Sequence, residues 1–176
     1  MERLWVRGAL LVAAVIVALT DLLYVVLINA QGESAQPYIP RFVGGYLAVV
    51  AAMVAVSMLP RAEIVRIRVA LRAASAGVLL VLGFLAAFSI GVPLVAAGVL
   101  VTLALSKTAR EVRSRPARLS GLVAAALSVA LLLGGLELAQ RAIVCPPGSN
   151  EAGGGASLIL GSYQYRCANG ELVSHT

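Results

Sequence analysis

The sequence predicts an all-α integral membrane protein, a bundle of five transmembrane helices over residues 1–144, with a small disulfide-pinned extracytoplasmic tail over residues 145–176. Three observations carry this reading. The chain is 60% hydrophobic and 12% charged, with a mean hydropathy of +0.94, whereas soluble domains hold about 45–50% apolar and about 25% charged residues. Its apolar runs are long enough for bilayer crossings, each of which takes about 20 helical residues. The basic residues gather in short clusters between those runs, as orientation signals do. The net charge of +6 therefore reads as topology. Membrane lipids are the expected surroundings, and nucleic acid is not an expected partner.

The first span is expected at residues 8–29, GALLVAAVIVALTDLLYVVLIN. MERLWVR ahead of it has the basic-then-apolar form of a signal peptide. The run exceeds a usual signal core, and the one possible cleavage point, after Ala30, has bulky Ile28 two positions earlier. A retained signal anchor is the preferred reading, with Arg3, Trp5 and Arg7 at the inner interface.

The second span is expected at 42–59, bounded by Pro37 and Pro40 before it and Pro60 after it, positions where proline does not interrupt a helix. The segment ahead of it, QGESAQPYIPR, carries only Arg41. The next, PRAEIVRIRVALR, carries Arg61, Arg66, Arg68 and Arg72. This contrast places the second segment in the cytoplasm and the first outside.

Residues 73–106 contain no charge, and as one helix they would measure about 51 Å. A tight turn at Ile90, Gly91, Val92 and Pro93 divides them into spans at 73–89 and 91–106. KTAREVRSRPAR follows with five basic residues. Both flanking segments thus belong in the cytoplasm, which fits two full crossings and also a shallow re-entrant hairpin.

The last span is expected at 119–144. Glu137 lies nineteen residues beyond Arg118, about 28 Å along the axis, and has Arg141 one turn on, a favourable i,i+4 order. This is read as an interfacial ion pair. Five spans put the N-terminus inside and the C-terminus outside, where Cys145 and Cys167 can hold a disulfide. In the tail, PPGSNEAGGG reads as a flexible connector and ASLIL as an apolar piece on the membrane surface or helix ends. SYQYRCANGELVS reads as a hairpin turning at Asn169-Gly170.

The only aspartate of the chain, Asp21, lies inside the first span, about 4 Å outward of the midplane. An acid in hydrocarbon is costly and marks a candidate site. At helical spacing it shares a face with Ala14, Ala18, Tyr24, Val25 and Ile28. Its small residues admit a neighbouring helix, so this face is expected to turn into the bundle. Small pairs also occur at Ala51 and Ala55, Ala73 and Gly77, and Gly83 and Ala87, in a chain too rich in such residues for any pair to identify a dimer. One use of Asp21 is structural or partner-binding, with Ser57, Ser75, Ser89, Thr102 or a partner's polar group as its hydrogen-bonding mate. A second is proton or cation coupling, with Tyr24 beside it, and a third is an outward water-filled cleft with no transport role. The spans offer no second acid or base at matching depth, which favours the first.

The sole histidine, His175, is penultimate, so haem ligation by paired histidines, histidine-based metal sites and histidine-dependent triads are not expected. No phosphate-binding glycine motif occurs. An enzyme is not expected, and no cofactor or metal is assigned. The sequence is best read as a non-catalytic accessory or assembly subunit of the cell membrane, packing against other membrane proteins or itself. The alternative is a small homo-oligomeric proton- or cation-coupled transporter or channel using Asp21. A lipid-acting enzyme stands third, since Asp21 and Glu137 lie at different depths.

Overall fold

Apolar residues with few internal breakers leave the backbone one way to satisfy its polar groups in hydrocarbon, which is to form helices. In the computed structural model, which describes residues 2–31, 37–60, 62–111, 115–156 and 161–175, the chain is mostly helical. The helices are α1 (Glu2–Gln31), α2 (Tyr38–Val56), α3 (Ala62–Leu85), α4 (Gly91–Glu111) and α5 (Arg115–Arg141). All five are long and apolar enough to cross a membrane. Three strands follow: β1 (Ala152–Ala156), β2 (Ser162–Ala168) and β3 (Glu171–His175). The chain divides into two units, one of Met1–Tyr24 and Tyr46–Leu132, the other of Val25–Gly45 and Leu133–Thr176.

Most helices run past the expected spans, because a charged residue ends an apolar run without ending a helix. The basic segment expected as a loop between the second and third spans, residues 60–72, is mostly helical, its residues 62–72 forming the first part of α3. Pro40 lies in the first turn of α2, where its missing N–H loses no helical bond. That helix stops at Val56 instead of residue 59, as Met58 and Leu59 donate to the carbonyls of Ala55 and Val56 at 3.1 Å each, tightening the last turn. The break in the charge-free stretch falls at residues 86–90, ahead of the expected turn. Pro93 sits in the first turn of α4, and the Ala86 carbonyl accepts from the amides of Ser89 at 2.9 Å and Gly91 at 2.8 Å. On either side of this corner the candidate spans Ile67–Leu85 and Gly91–Arg110 have 19 and 20 residues, so each is long enough for a full crossing.

In the first unit α3 and α4 form the tightest helix pair. Leu79, Leu94 and Val101 are fully buried, and a Cβ on Gly98 would press on Leu79 and Leu80. In lipid such packing is driven by close contact rather than by water exclusion. At the corner the backbones nearly touch, and a Cβ on Gly91 would collide with the carbonyl of Gly83 and with Ala86. Towards the other end of α3, Val69 and Ala73 lie against Gly121 of α5. Tyr46 of α2 donates its hydroxyl to the Ser128 carbonyl of α5 at 2.6 Å.

In the second unit the strands form an antiparallel sheet in the order β1-β2-β3. The hairpin turns at Asn169 and Gly170, whose φ values of 52° and 83° suit the left-handed turn that Asn-Gly favours. The expected flexible connector is instead ordered. Residues 152–156 pair with β2, and the rings of Tyr165 and Tyr163 cover Gly153 and Gly155 across the strands. The segment before β1 binds the hairpin, with the Gly170 amide on the Ser149 carbonyl at 3.1 Å and the Cys167 amide on the Glu151 carbonyl at 2.7 Å. The apolar piece ASLIL begins with the last residue of β1; the rest of it, 157–160, lies outside the described residues.

Gly91→Ala should lower the thermal unfolding midpoint in detergent, at a cost of about 1–3 kcal/mol for the forced overlap. Gly134→Ala on α5, which meets nothing within 4 Å, should leave the midpoint unchanged or slightly raised. Circular dichroism of both variants checks the pair.

Candidate functional site

The buried side chains of α1 are Leu10, Ala13 and Val17, all fully buried, and Thr20 at 6% exposure. This stripe lies about one residue round the helix from the face expected to be internal, a rotation of about 100°. Ala14 is half-buried, but Ala18 and Val25 are exposed. Leu10 and Val17 lie on the packed side, and Ala18 of the small-residue face does not. Asp21, next to Thr20, stands on the border of the packed stripe and is half-buried, as are Tyr24 and Ile28.

The Oδ1 atom of Asp21 is shielded from solvent and accepts no hydrogen bond among the described residues. The hydroxyls considered as its mates are used within their own segments. Ser57 donates to the Val54 carbonyl at 2.7 Å, Ser75 to Leu71 at 2.9 Å, Ser89 to Ala86 at 3.3 Å and Thr102 to Gly98 at 2.8 Å. A hydroxyl has one proton to give, and in an apolar helix the carbonyl three or four residues back is always in reach. Their donors are therefore committed elsewhere.

A second polar locus escaped the sequence reading. Arg72, assigned there to a cytoplasmic loop, is 4% exposed on α3. It hydrogen-bonds the Thr108 hydroxyl of α4 and reaches the Ser57 carbonyl at 3.5 Å. One turn earlier, Arg68 donates to the Leu59 carbonyl at 2.9 Å. Two guanidinium groups thus hold the carbonyls just past the end of α2, where helical dipoles leave partial negative charge. The i,i+4 spacing of Arg68 and Arg72 was the available signal, obscured by counting them only as charges.

In the second unit Glu137, at 6% exposure, accepts from Arg141 Nε at 3.0 Å. The Arg141 guanidinium also lies 6.0 Å from the ring centroid of buried Tyr163 on β2, within cation-π range. Cys145 and Cys167 form a disulfide with a Cα–Cα distance of 5.7 Å. Ion pair, ring contact and disulfide together fasten β2 to the last turn of α5 and the residues just after it. Among the described residues no group of three or more His, Cys, Asp or Glu could hold a metal ion. Compared with family models, curated proteins and solved structures, the chain gives no match.

Replacing both Cys145 and Cys167 by Ser should weaken the tail by about 3 kcal/mol in the chain-entropy account of a loop this size. The expected result is faster amide exchange in Ser162–Ala168 with exchange in α3 unchanged, measured by hydrogen–deuterium exchange.

Proposed function

We propose that the protein is a non-catalytic accessory or assembly subunit of the cell membrane, and that Asp21 is its polar contact with a partner subunit or a second copy. One observation carries the reading: Asp21 Oδ1 is shielded from solvent without a donor among the described residues, while Ser57, Ser75, Ser89 and Thr102 give their protons to backbone carbonyls. A shielded carboxyl oxygen left so costs free energy, and a donor from another chain removes that cost. The aliphatic side chains around it on α1, including Leu11, Leu22 and Leu23, are more than half exposed and available to lipid or a partner helix. A proton- or cation-coupled transporter or channel is the second reading, favoured by the same carboxyl and by half-buried Tyr24 three residues on.

The orientation belongs to the same proposal. The basic segments around residues 61–72 and 107–118 support a cytoplasmic location for that end of α3, α4 and α5. With five crossings, the sheet and its disulfide then face an oxidising compartment, where such a bond persists.

Affinity purification of the tagged chain in mild detergent should recover a partner or a homo-oligomer. Asp21→Leu should reduce that recovery about tenfold or more, the effect of losing about 1.4 kcal/mol or more at the contact, with helicity unchanged. A lone monomer from the native protein would sink the subunit reading. Loss of proton-dependent flux in liposomes on Asp21→Asn, with assembly intact, would establish the transport reading in its place.

For the orientation, an impermeant thiol reagent should label intact cells only after reduction. Labelling that requires opening the membrane would put the tail inside.

A further inference from the structure

The basic residues are unevenly divided: eleven of the fourteen Lys and Arg belong to the first unit, with four of the eight Asp and Glu. Many of them converge at one end of it. Arg68 of α3 touches the segment after α2 at Leu59, Arg72 touches Thr108 near the end of α4, and Val69 packs on Gly121 near the start of α5. The candidate spans begin at Ile67 and Pro116 and end at Arg110. Arg68 therefore lies where apolar span gives way to polar chain, the level at which lipid phosphates are found. Lys107, Arg110 and Arg118 are exposed at the same end.

We propose that Arg68 is a binding residue for the phosphate of an acidic phospholipid, seated at the end of the first unit where α3, α4 and α5 meet the headgroup layer. The guanidinium is held in place by its bond from Nη2 to the Leu59 carbonyl at 2.9 Å. Its Nε is screened from solvent and has no acceptor among the described residues, although the side chain as a whole is only half-buried. A planar fork with one donor fixed and another unmet suits a phosphate, which presents several acceptor oxygens. A headgroup reaching the guanidinium from the membrane surface and displacing what covers Nε supplies the missing acceptor. The exposed Lys107, Arg110 and Arg118 raise the local concentration of anionic lipid, as basic clusters at membrane surfaces do. The specific contact belongs to Arg68, which deeper Arg72 keeps company from one turn away. The site is independent of Asp21 and does not rest on the subunit reading.

The test uses the full chain in a nonionic detergent with added phosphatidylglycerol, phosphatidylcholine or inorganic phosphate, and native mass spectrometry to count retained lipid. Phosphatidylglycerol should be retained about tenfold over phosphatidylcholine, with inorganic phosphate unable to displace it. Arg68→Gln should remove that preference, and Arg118→Gln, which changes the exposed charge at the same end, should keep most of it. Arg68→Lys keeps the charge without the fork and should also lose most of the preference, which decides the matter if Arg68→Gln fails to fold. Equal retention of the two lipids, or equal losses for Arg68→Gln and Arg118→Gln, overturns the proposal. So does displacement by inorganic phosphate, which would make it a free-anion site, or by a polyglutamate peptide, which would give it to an acidic protein segment.

Discussion

In hydrocarbon a backbone amide or carbonyl has no water to fall back on, so each must find its partner within the protein. The five long helices answer this for their interiors, and the distinctive residues of the first unit answer it at the ends. Beyond the last turn of α2 the carbonyls of Ser57 and Leu59 receive Arg72 and Arg68 from the neighbouring helix. At the α3–α4 corner one carbonyl, that of Ala86, serves the amides of both Ser89 and Gly91. The close approach of Gly83 and Gly91 makes that corner short enough to close. Removing a Cβ at two positions thus does at one end what two guanidinium groups do at the other.

Hydropathy reveals such helices because it reads the property that lipid selects. Their ends are less legible, since a helix continues through charged residues wherever nothing breaks it. The start of α3, residues 62–72, is the clearest case, and Arg72 was misplaced with it. A residue in a basic run looks solvated until the fold turns its face inward, and Thr108, its mate, lies thirty-six positions away. The strand β1 was hidden for a different reason. AGGGA has poor strand propensity, and its place in the sheet depends on Tyr163 and Tyr165 lying over Gly155 and Gly153. The Asn169-Gly170 turn was legible because its requirement for positive φ is local to two residues. The disulfide was legible because the chain has only two cysteines, both after the last span.

Asp21 shows how the surroundings of a residue can differ from those its helical spacing suggests. A helical wheel centred on the aspartate groups it with Ala14 and Ala18, and small residues invite the inference that a neighbour approaches there. The helix packs instead by Leu10, Ala13, Val17 and Thr20. Asp21 is left at the seam, and the alanine face turns partly outward. Both features that suggested an internal contact therefore lie at or beyond the edge of the chain's own packing.

The contrast between Arg72 and Asp21 then carries the functional argument. Both are ionisable groups in the same apolar unit, and the fold treats them differently. Arg72 is deeply buried and provided for by a hydroxyl on α4 and a carbonyl following α2, with Arg68 one turn away making a parallel contact. The hydroxyls of Ser57, Ser75, Ser89 and Thr102 give their protons to backbone carbonyls of their own segments. The shielded Asp21 Oδ1, without a donor among the described residues, is the observation on which the proposed contact outside the chain rests.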